Sequence, residues 1–307
     1  MISGKTALVG LIGQPVQHSL SPVMHNAALK AMGLDWCYLA LPCESSELTK
    51  VLQSLRALKC KGLNITIPHK QTITGICSQL SPLAKKVGAV NTLIPDKIGG
   101  WIGTNTDVAG FIAPLMGRNQ EWRKSKAIVL GCGGSARAVV AGLQDMKIFQ
   151  ITVVGRKEEK LRNFLDHFNN AILKNNSIDT PGSLKGILEN EDNLLEEIKK
   201  ADLIINTTPI GMHRDNKNND AHNQIPLGVN FWNNLKTNTT LYDLVYTPRP
   251  TAWLQLGQKK GYNCIDGLEM LIQQGAASLK LWSNYNEIPV NVMRSAAEKS
   301  LLFKNYK

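Results

Sequence analysis

"VLGCGGSA", residues 129 to 136, decides how the middle of the chain is read. The apolar run "KAIVLG" leads into it, and the apolar spacing of "ARAVVAGLQDM" after it predicts a helix. Gly131, Gly133 and Ala136 therefore stand in the places of a G-x-G-x-x-A loop between a strand and a helix. Glycines let a backbone approach a pyrophosphate, and the helix N-terminus offers unpaired N–H groups and the positive end of its dipole. A tight turn with no ligand would also use glycine, so the loop alone is a weak signal; the strand before and the helix after strengthen it. The candidate phosphate-holding residues are Gly131, Cys132, Gly133, Gly134 and Ser135.

The next strand, "QITVVG" (150–155), ends where an NAD-binding chain would carry an acid for the ribose hydroxyls. Gly155 takes that place, and Arg156, Lys157 and Lys160 follow. Positive charge and a guanidinium fork suit a 2′-phosphate, so NADP is expected over NAD. An ordinary solvated helix start is the plainer reading, but basic residues there oppose the dipole.

Outward from this loop, "KEEKLRNFLDHF" predicts a helix, and "ADLIINTT" and "TTLYDLVY" predict further strands. Together they predict an open α/β sheet. A similar alternation runs from Thr6 to Ile102 through "TALVGLIG", a helix over about 23–32, "WCYLAL", a helix through "SELTKVLQSLRALK", and "GLNITI". The fold class expected is α/β, with two open α/β domains, the first holding a mostly parallel sheet and the second Rossmann-like. The polar stretches 169–193 and 213–224 read as surface excursions.

The totals agree with two domains: 307 residues with 43% hydrophobic content are somewhat too many for one core. Six cysteines without a CxxC pair or zinc-like spacing suggest neither disulfides nor a metal, and a reducing compartment fits. No signal peptide pattern and no run of about 18 apolar residues is visible, so a soluble cytoplasmic protein with no membrane partner is expected. The net charge of +11 is spread thinly, without basic blocks interleaved with aromatics, so no nucleic-acid partner is expected.

The first half carries further polar motifs. In "GQPVQHSLSP" (13–22), Ser21 before Pro22 reads as a helix N-cap, while Ser19 and Ser21 together could converge on a carboxylate. "NITIPHK" (64–70) reads as the end of a strand burying Ile65 and Ile67, with Pro68 opening a helix and Lys70 near its N-terminus. A dipole end and partial burial would each lower that lysine's pKa towards the range of proton exchange, although a lysine snorkelling to water is equally compatible. "GTNTDVAGF" places Asp107 before a helical stretch, where an N-cap is its plain role. "GAVNTL" places Asn91 and Thr92 on a strand, where buried amide and hydroxyl groups would need partners.

Through "HSLSP", "NITIPHK", "GAVNTL", "TNTDVAGF", "GCGGSARA", "INTTPIGM", "YDLVY" and "DGLEMLIQQGAASLKLW", the chain resembles the shikimate dehydrogenases along nearly its whole length. The resemblance implies a substrate domain of residues 1–106 with 267–307 returning to it, and an NADP-binding Rossmann domain of 107–266. It implies that Ser19 and Ser21 hold the substrate carboxylate, that Thr66, Asn91, Asp107 and Gln274 meet its hydroxyls, and that Lys70 and Asp107 are the catalytic pair. Tyr246 would line the substrate side, and Leu244 and Gly267 would meet the nicotinamide end. Leu244 departs from the methionine of some members, which changes packing more than chemistry, and Cys132 and Ser135 stand where alanines are common but are small enough to leave the pyrophosphate approach open.

The activity implied is the reversible NADPH-linked reduction of 3-dehydroshikimate to shikimate, in chorismate and aromatic amino acid biosynthesis. A quinate/shikimate dehydrogenase of broader specificity and a non-catalytic NADP-binding sensor are the alternatives. A homodimer is compatible with the sequence, which does not fix an oligomeric state.

Overall fold

The computed structural model describes residues 2–118, 120–172, 181–190, 193–212 and 224–304. The chain divides into two units, residues 1–110 with 271–307 and residues 111–270. Each joint falls four residues beyond the expected bound (106 to 110, 266 to 270), so Asp107 lies in the first unit.

In the first unit, the continuous apolar run "ALVGLIG" forms β1 (Ala7–Gly13), parallel to β2 (Trp36–Pro42) on one side and to β3 (Gly62–Ile65) on the other. Between them lie α1 (Ser21–Ala31) and α2 (Leu48–Ala57), the crossovers that parallel strands require. The sheet continues with β4 (Gln79–Leu80), α3 (Pro82–Val87), β5 (Thr92–Pro95) and β6 (Trp101–Thr104), in the order β2-β1-β3-β5-β6-β4. β5 runs antiparallel to both β3 and β6, so the mostly parallel sheet contains a hairpin.

The strand in "NITIPHK" stops sooner than expected. β3 ends at Ile65, which is buried, whereas Ile67 is 54% exposed. Thr66 O accepts from His69 N–H, and Ile67 O accepts from Gln14 N–H, so the segment turns back on the first strand instead of winding into an α-helix. Only a four-residue 3-10 turn, Thr72–Gly75, follows. The dipole expected at Lys70 therefore has no α-helix to generate it.

α1 also begins differently. Ser21 is its first residue and Leu20 the N-cap, which has no side-chain cap bond. Ser19 Oγ instead accepts from Ser21 N–H at 3.1 Å, so Ser19 does the work assigned to Ser21. The chain crosses between the units within α4 (Asp107–Met116) and returns within α9 (Leu268–Ser283), ending in α10 (Val290–Lys304). Gly62 leaves room for Trp282 of α9, whose Nε1–H donates to Leu93 O at 3.0 Å.

The second unit is a parallel six-stranded sheet. Its elements are β7 (Lys126–Leu130), α5 (Gly134–Asp145), β8 (Gln150–Gly155), α6 (Glu158–Ile172), β9 (Ser183–Leu188), α7 (Asn193–Lys200), β10 (Leu203–Asn206), β11 (Thr240–Asp243), α8 (Ala252–Lys259) and β12 (Asn263–Ile265). The order β12-β11-β10-β7-β8-β9 reverses between β7 and β10, which is the switch point where doubly wound sheets bind nucleotides. Ala127–Leu130 of β7 and Leu203–Ile205 of β10 are continuously apolar and buried because both faces are covered.

One expectation fails here. The polar stretch 169–193 is more than a surface excursion, because "SLKGIL" within it forms β9, paired in register with β8 along its whole length. As an edge strand it is only partly buried, with Ile187 its one buried residue. Residues 173–180, and all of the second polar stretch except Gln224, lie outside the described residues.

Candidate functional site

The first unit gathers polar side chains at the ends of β3, β5 and β6. Lys70 Nζ donates to Asp107 Oδ2 at 2.6 Å, with the two side chains 13% and 5% exposed. Asp107 opens α4, but the role expected of it as cap falls to its neighbour: Asn105 Oδ1 accepts from Val108 N–H at 3.4 Å. The Asp107 carboxylate is free to serve Lys70 and Asn91.

Asn91 has a fixed orientation. Its Oδ1 accepts from Thr106 N–H at 2.7 Å, and a backbone N–H can only donate, so its amide nitrogen must face the other way. There Nδ2 meets Asp107 Oδ1 at 2.8 Å, Thr106 Oγ1 at 2.9 Å and Gln274 Oε1 at 3.2 Å. Gln274 on α9 is thereby drawn into the same cluster, its own Nε2 donating to Leu271 O at 2.8 Å.

Ser19, Ser21 and Thr66 stand at the carboxyl ends of β1 and β3. Ser19 is half-buried and Ser21 buried; beyond the Ser21 N–H to Ser19 Oγ bond, no described protein group bonds either hydroxyl. Thr66 follows β3, with its N–H donating to Ile12 O, and Gly13 carries no side chain because Thr66 Cγ2 fills the space.

In the second unit, Gly131 has φ +102, and a Cβ there would come within 2.9 Å of Thr207 Oγ1 and Thr208 Cγ2. Any other residue would strain the turn and meet the end of β10. Around Gly133 a Cβ would meet nothing within 4 Å, so the loop is open on that side. Arg137 N–H bonds Gly133 O as the first bond of α5, which leaves the N–H groups of Gly134, Ser135 and Ala136 without helical acceptors. The helix starts two residues earlier than "ARAVVAGLQDM" predicted, bringing its N–H groups into the glycine loop.

Burial raises the Cys132 thiol's pKa, opposed by the charges of Lys160, Arg137 and Arg156, whose field thus reaches the loop. Arg156, Lys157 and Lys160 are exposed at the start of α6, with Glu158 and Glu159 among them in its first turn. Gly155 is buried, and a Cβ on it would press on Leu161 at 3.0 Å, so packing against α6 is its visible role. An open glycine loop, free N–H groups and a cationic flank fit a phosphorylated dinucleotide.

Leu244, Tyr246 and Gly267 all belong to this second unit. Gly267 packs directly on the Leu244 carbonyl, and its N–H donates to Val245 O at 3.4 Å. Tyr246 is partly buried in the segment after β11. No group of three or more metal-binding side chains occurs among the described residues, nor a helix long and apolar enough to cross a membrane.

Several participants have no assigned role in the sequence reading. Asn64, Thr106 and Ser278 complete the network around Asn91. Asn206 and Asp243 fix the strand ends beside the glycine loop: Asn206 Nδ2 donates to Asp243 Oδ1 at 2.9 Å, and Thr251 Oγ1 to Asp243 Oδ2 at 2.7 Å. Asn64 in the otherwise apolar "GLNI" and the i, i+4 spacing of Gln274 and Ser278 were the available signals.

A family model described as the shikimate dehydrogenase substrate binding domain matches residues 11–93, and one described as the shikimate 5′-dehydrogenase C-terminal domain matches 267–298. A relative from Prochlorococcus marinus subsp. pastoris, named shikimate dehydrogenase (NADP(+)), is 44% identical over 301 residues, covering 98% of this chain and 100% of its own. The chain belongs to the shikimate dehydrogenase family. A shikimate dehydrogenase crystallised in complex with NADP+ has the same fold at a TM-score of 0.84 and 32% identity, with 98% of each chain covered. The Thermus thermophilus shikimate 5-dehydrogenase in complex with NADP(H) and shikimate matches at 0.79 and 29%, covering 96% of this chain and 100% of that one. The two α/β units, the second Rossmann-like, are thus the shikimate dehydrogenase fold.

Proposed function

We propose that the protein catalyses the reversible reduction of 3-dehydroshikimate to shikimate with NADPH, a step of aromatic amino acid biosynthesis carried out in the cytoplasm. The observation that carries this reading is the Lys70–Asp107 pair at 2.6 Å, set among amide and hydroxyl groups suited to a polyhydroxylated ring. In this reading residues 1–106 with 267–307 serve the substrate and 107–266 the cofactor. The open glycine loop and the cations Arg156, Lys157 and Lys160 support NADP over NAD.

When bound, NADPH supplies the hydride, and the chain's own residues hold the substrate and manage the proton. Ser19 and Ser21 donate their hydroxyls to the ring carboxylate. Thr66, Asn91, Asp107 and Gln274 meet ring hydroxyls, and Tyr246 lines the substrate. Leu244 and Gly267 shape the nicotinamide end.

Lys70 carries three N–H donors, of which the described protein takes one, through Asp107. The remaining donors can reach the substrate oxygen, stabilise its developing negative charge and deliver a proton; in the reverse direction the amine accepts it. Asp107 fixes the direction of the ammonium, while Asn91 fixes Asp107.

Initial rates of shikimate oxidation with NADP+ and with NAD+, followed by nicotinamide absorbance, test the reading. Turnover with a higher kcat/KM for NADP+ is expected. No turnover with shikimate would overturn it.

A further inference from the structure

Tyr38 lies on β2, separated by β1 from the strand that carries Asn64, and the reaction itself requires no phenol there. Its surroundings nonetheless fix it completely. Asn26 of α1 clamps its backbone from both directions, Asn26 Nδ2 donating to Tyr38 O and Tyr38 N–H donating to Asn26 Oδ1, each at 2.9 Å. His25 stacks flat on the ring, with centroids 4.2 Å apart and planes 3° from parallel. The ring is 0% exposed, and its hydroxyl donates to Asn64 Oδ1 at 2.8 Å.

Asn64 can receive that bond in one orientation only. Its Nδ2 faces Asn91 O at 3.2 Å, a carbonyl that can only accept, so Oδ1 must point towards Tyr38. The same Nδ2 faces Ser278 Oγ at 2.9 Å and Thr92 Oγ1 at 3.2 Å. Thr92 Oγ1 donates in turn to Asn91 Oδ1 at 2.9 Å, and Asn91 Nδ2 holds Asp107 Oδ1. An unbroken line of buried bonds thus runs from the phenol to the carboxylate facing Lys70. In so low a dielectric each member's direction depends on the next.

We propose that Tyr38 is a positioning residue for the Lys70–Asp107 pair, acting through Asn64 and Asn91. The proposal rests on the function proposed above. A core aromatic with a satisfied hydroxyl would affect stability alone, whereas a positioning residue affects the chemical step.

Tyr38→Phe keeps the stacked ring and both backbone bonds to Asn26 while removing only the hydroxyl. For shikimate oxidation it is expected to lower kcat about tenfold, the scale set by small misplacements of catalytic groups, and to leave the KM for NADP+ unchanged. Ser278→Ala perturbs the same amide from the opposite side. A double-mutant cycle is therefore expected to be non-additive, the combined loss being smaller than the product of the single losses. Wild-type kcat in Tyr38→Phe, or independent multiplying effects that also raise the KM for NADP+, would overturn the proposal. Should Tyr38→Phe fail to fold, a Ser278→Ala variant with wild-type kcat would overturn it alone. A wild-type protein inactive on shikimate would instead refute the functional reading, and this proposal with it.

Discussion

Asp107 binds Lys70 with one carboxylate oxygen, at 2.6 Å, and Asn91 with the other, at 2.8 Å. The lysine cannot turn without breaking the first bond, and the carboxylate cannot turn without breaking the second. Asp107→Asn keeps the size but removes the charge, leaving a largely buried ammonium without its counter-ion and two amide groups facing each other at Asn91. We expect kcat for shikimate oxidation to fall by roughly 10² to 10³, within the scale of acid–base catalysis, with a smaller rise in the KM for shikimate. A kcat near the wild-type value would show that Asp107 does not hold the lysine.

Arg156 stands exposed where β8 gives way to α6. A guanidinium there can fork a 2′-phosphate, which NADPH has and NADH lacks. Arg156→Ala is expected to raise the KM for NADPH far more than that for NADH. Equal effects on the two cofactors, measured by steady-state kinetics, would remove the phosphate assignment.

Much of this was legible because the relevant signals are local. The loop "GCGGSA" needed only its flanking strand and helix, whereas the strand order that makes it a switch point emerged from the structure. "NITIPHK" was less legible: the reversal at Thr66–His69 is set by bonds to Gln14 and within the turn, which no periodicity reveals. β9 was missed because its short apolar run, Leu184 with Ile187 and Leu188, is embedded in a long stretch dominated by Asn, Asp and Lys. Asn64, Tyr38 and Ser278 could not be assembled from the sequence at all, since their bonds join positions 26 and 214 residues apart.

Gly267 lies with its Cα face against the backbone carbonyl of Leu244, which cannot yield as a flexible side chain would. Gly267→Ala should displace the segment after β11 and lower stability by about 1–3 kcal/mol, the usual cost of overpacking. The urea midpoint with an unchanged m-value reads this directly. An unaltered midpoint would mean that the contact relaxes freely.

Two buried groups give stability opposite pH dependences. Burial pulls the His25 imidazole from its ordinary value of 6.5 down to about 3, so on acidification the unfolded chain takes up a proton that the folded chain refuses. Its contribution is present above 6.5 and is lost as pH falls towards 3. Burial raises the Asp243 carboxyl from 3.8 to about 6, against the bonds from Thr251, Val245 N–H and Asn206. Its contribution is present below 3.8 and is lost as pH rises through about 6. Chemical denaturation as a function of pH should show the acid limb reduced in His25→Phe and the limb between about 4 and 7 flattened in Asp243→Asn. Unchanged profiles in both variants would contradict these assignments.

The central claim is that the Lys70 amine meets the substrate oxygen as the hydride moves, and its most direct test is the steady-state rate of Lys70→Ala on shikimate and NADP+. The account predicts kcat lower by about 10² to 10⁴ with shikimate binding little changed. A wild-type kcat accompanied only by a raised KM would contradict it, reducing the lysine to a group that binds substrate without touching the chemistry.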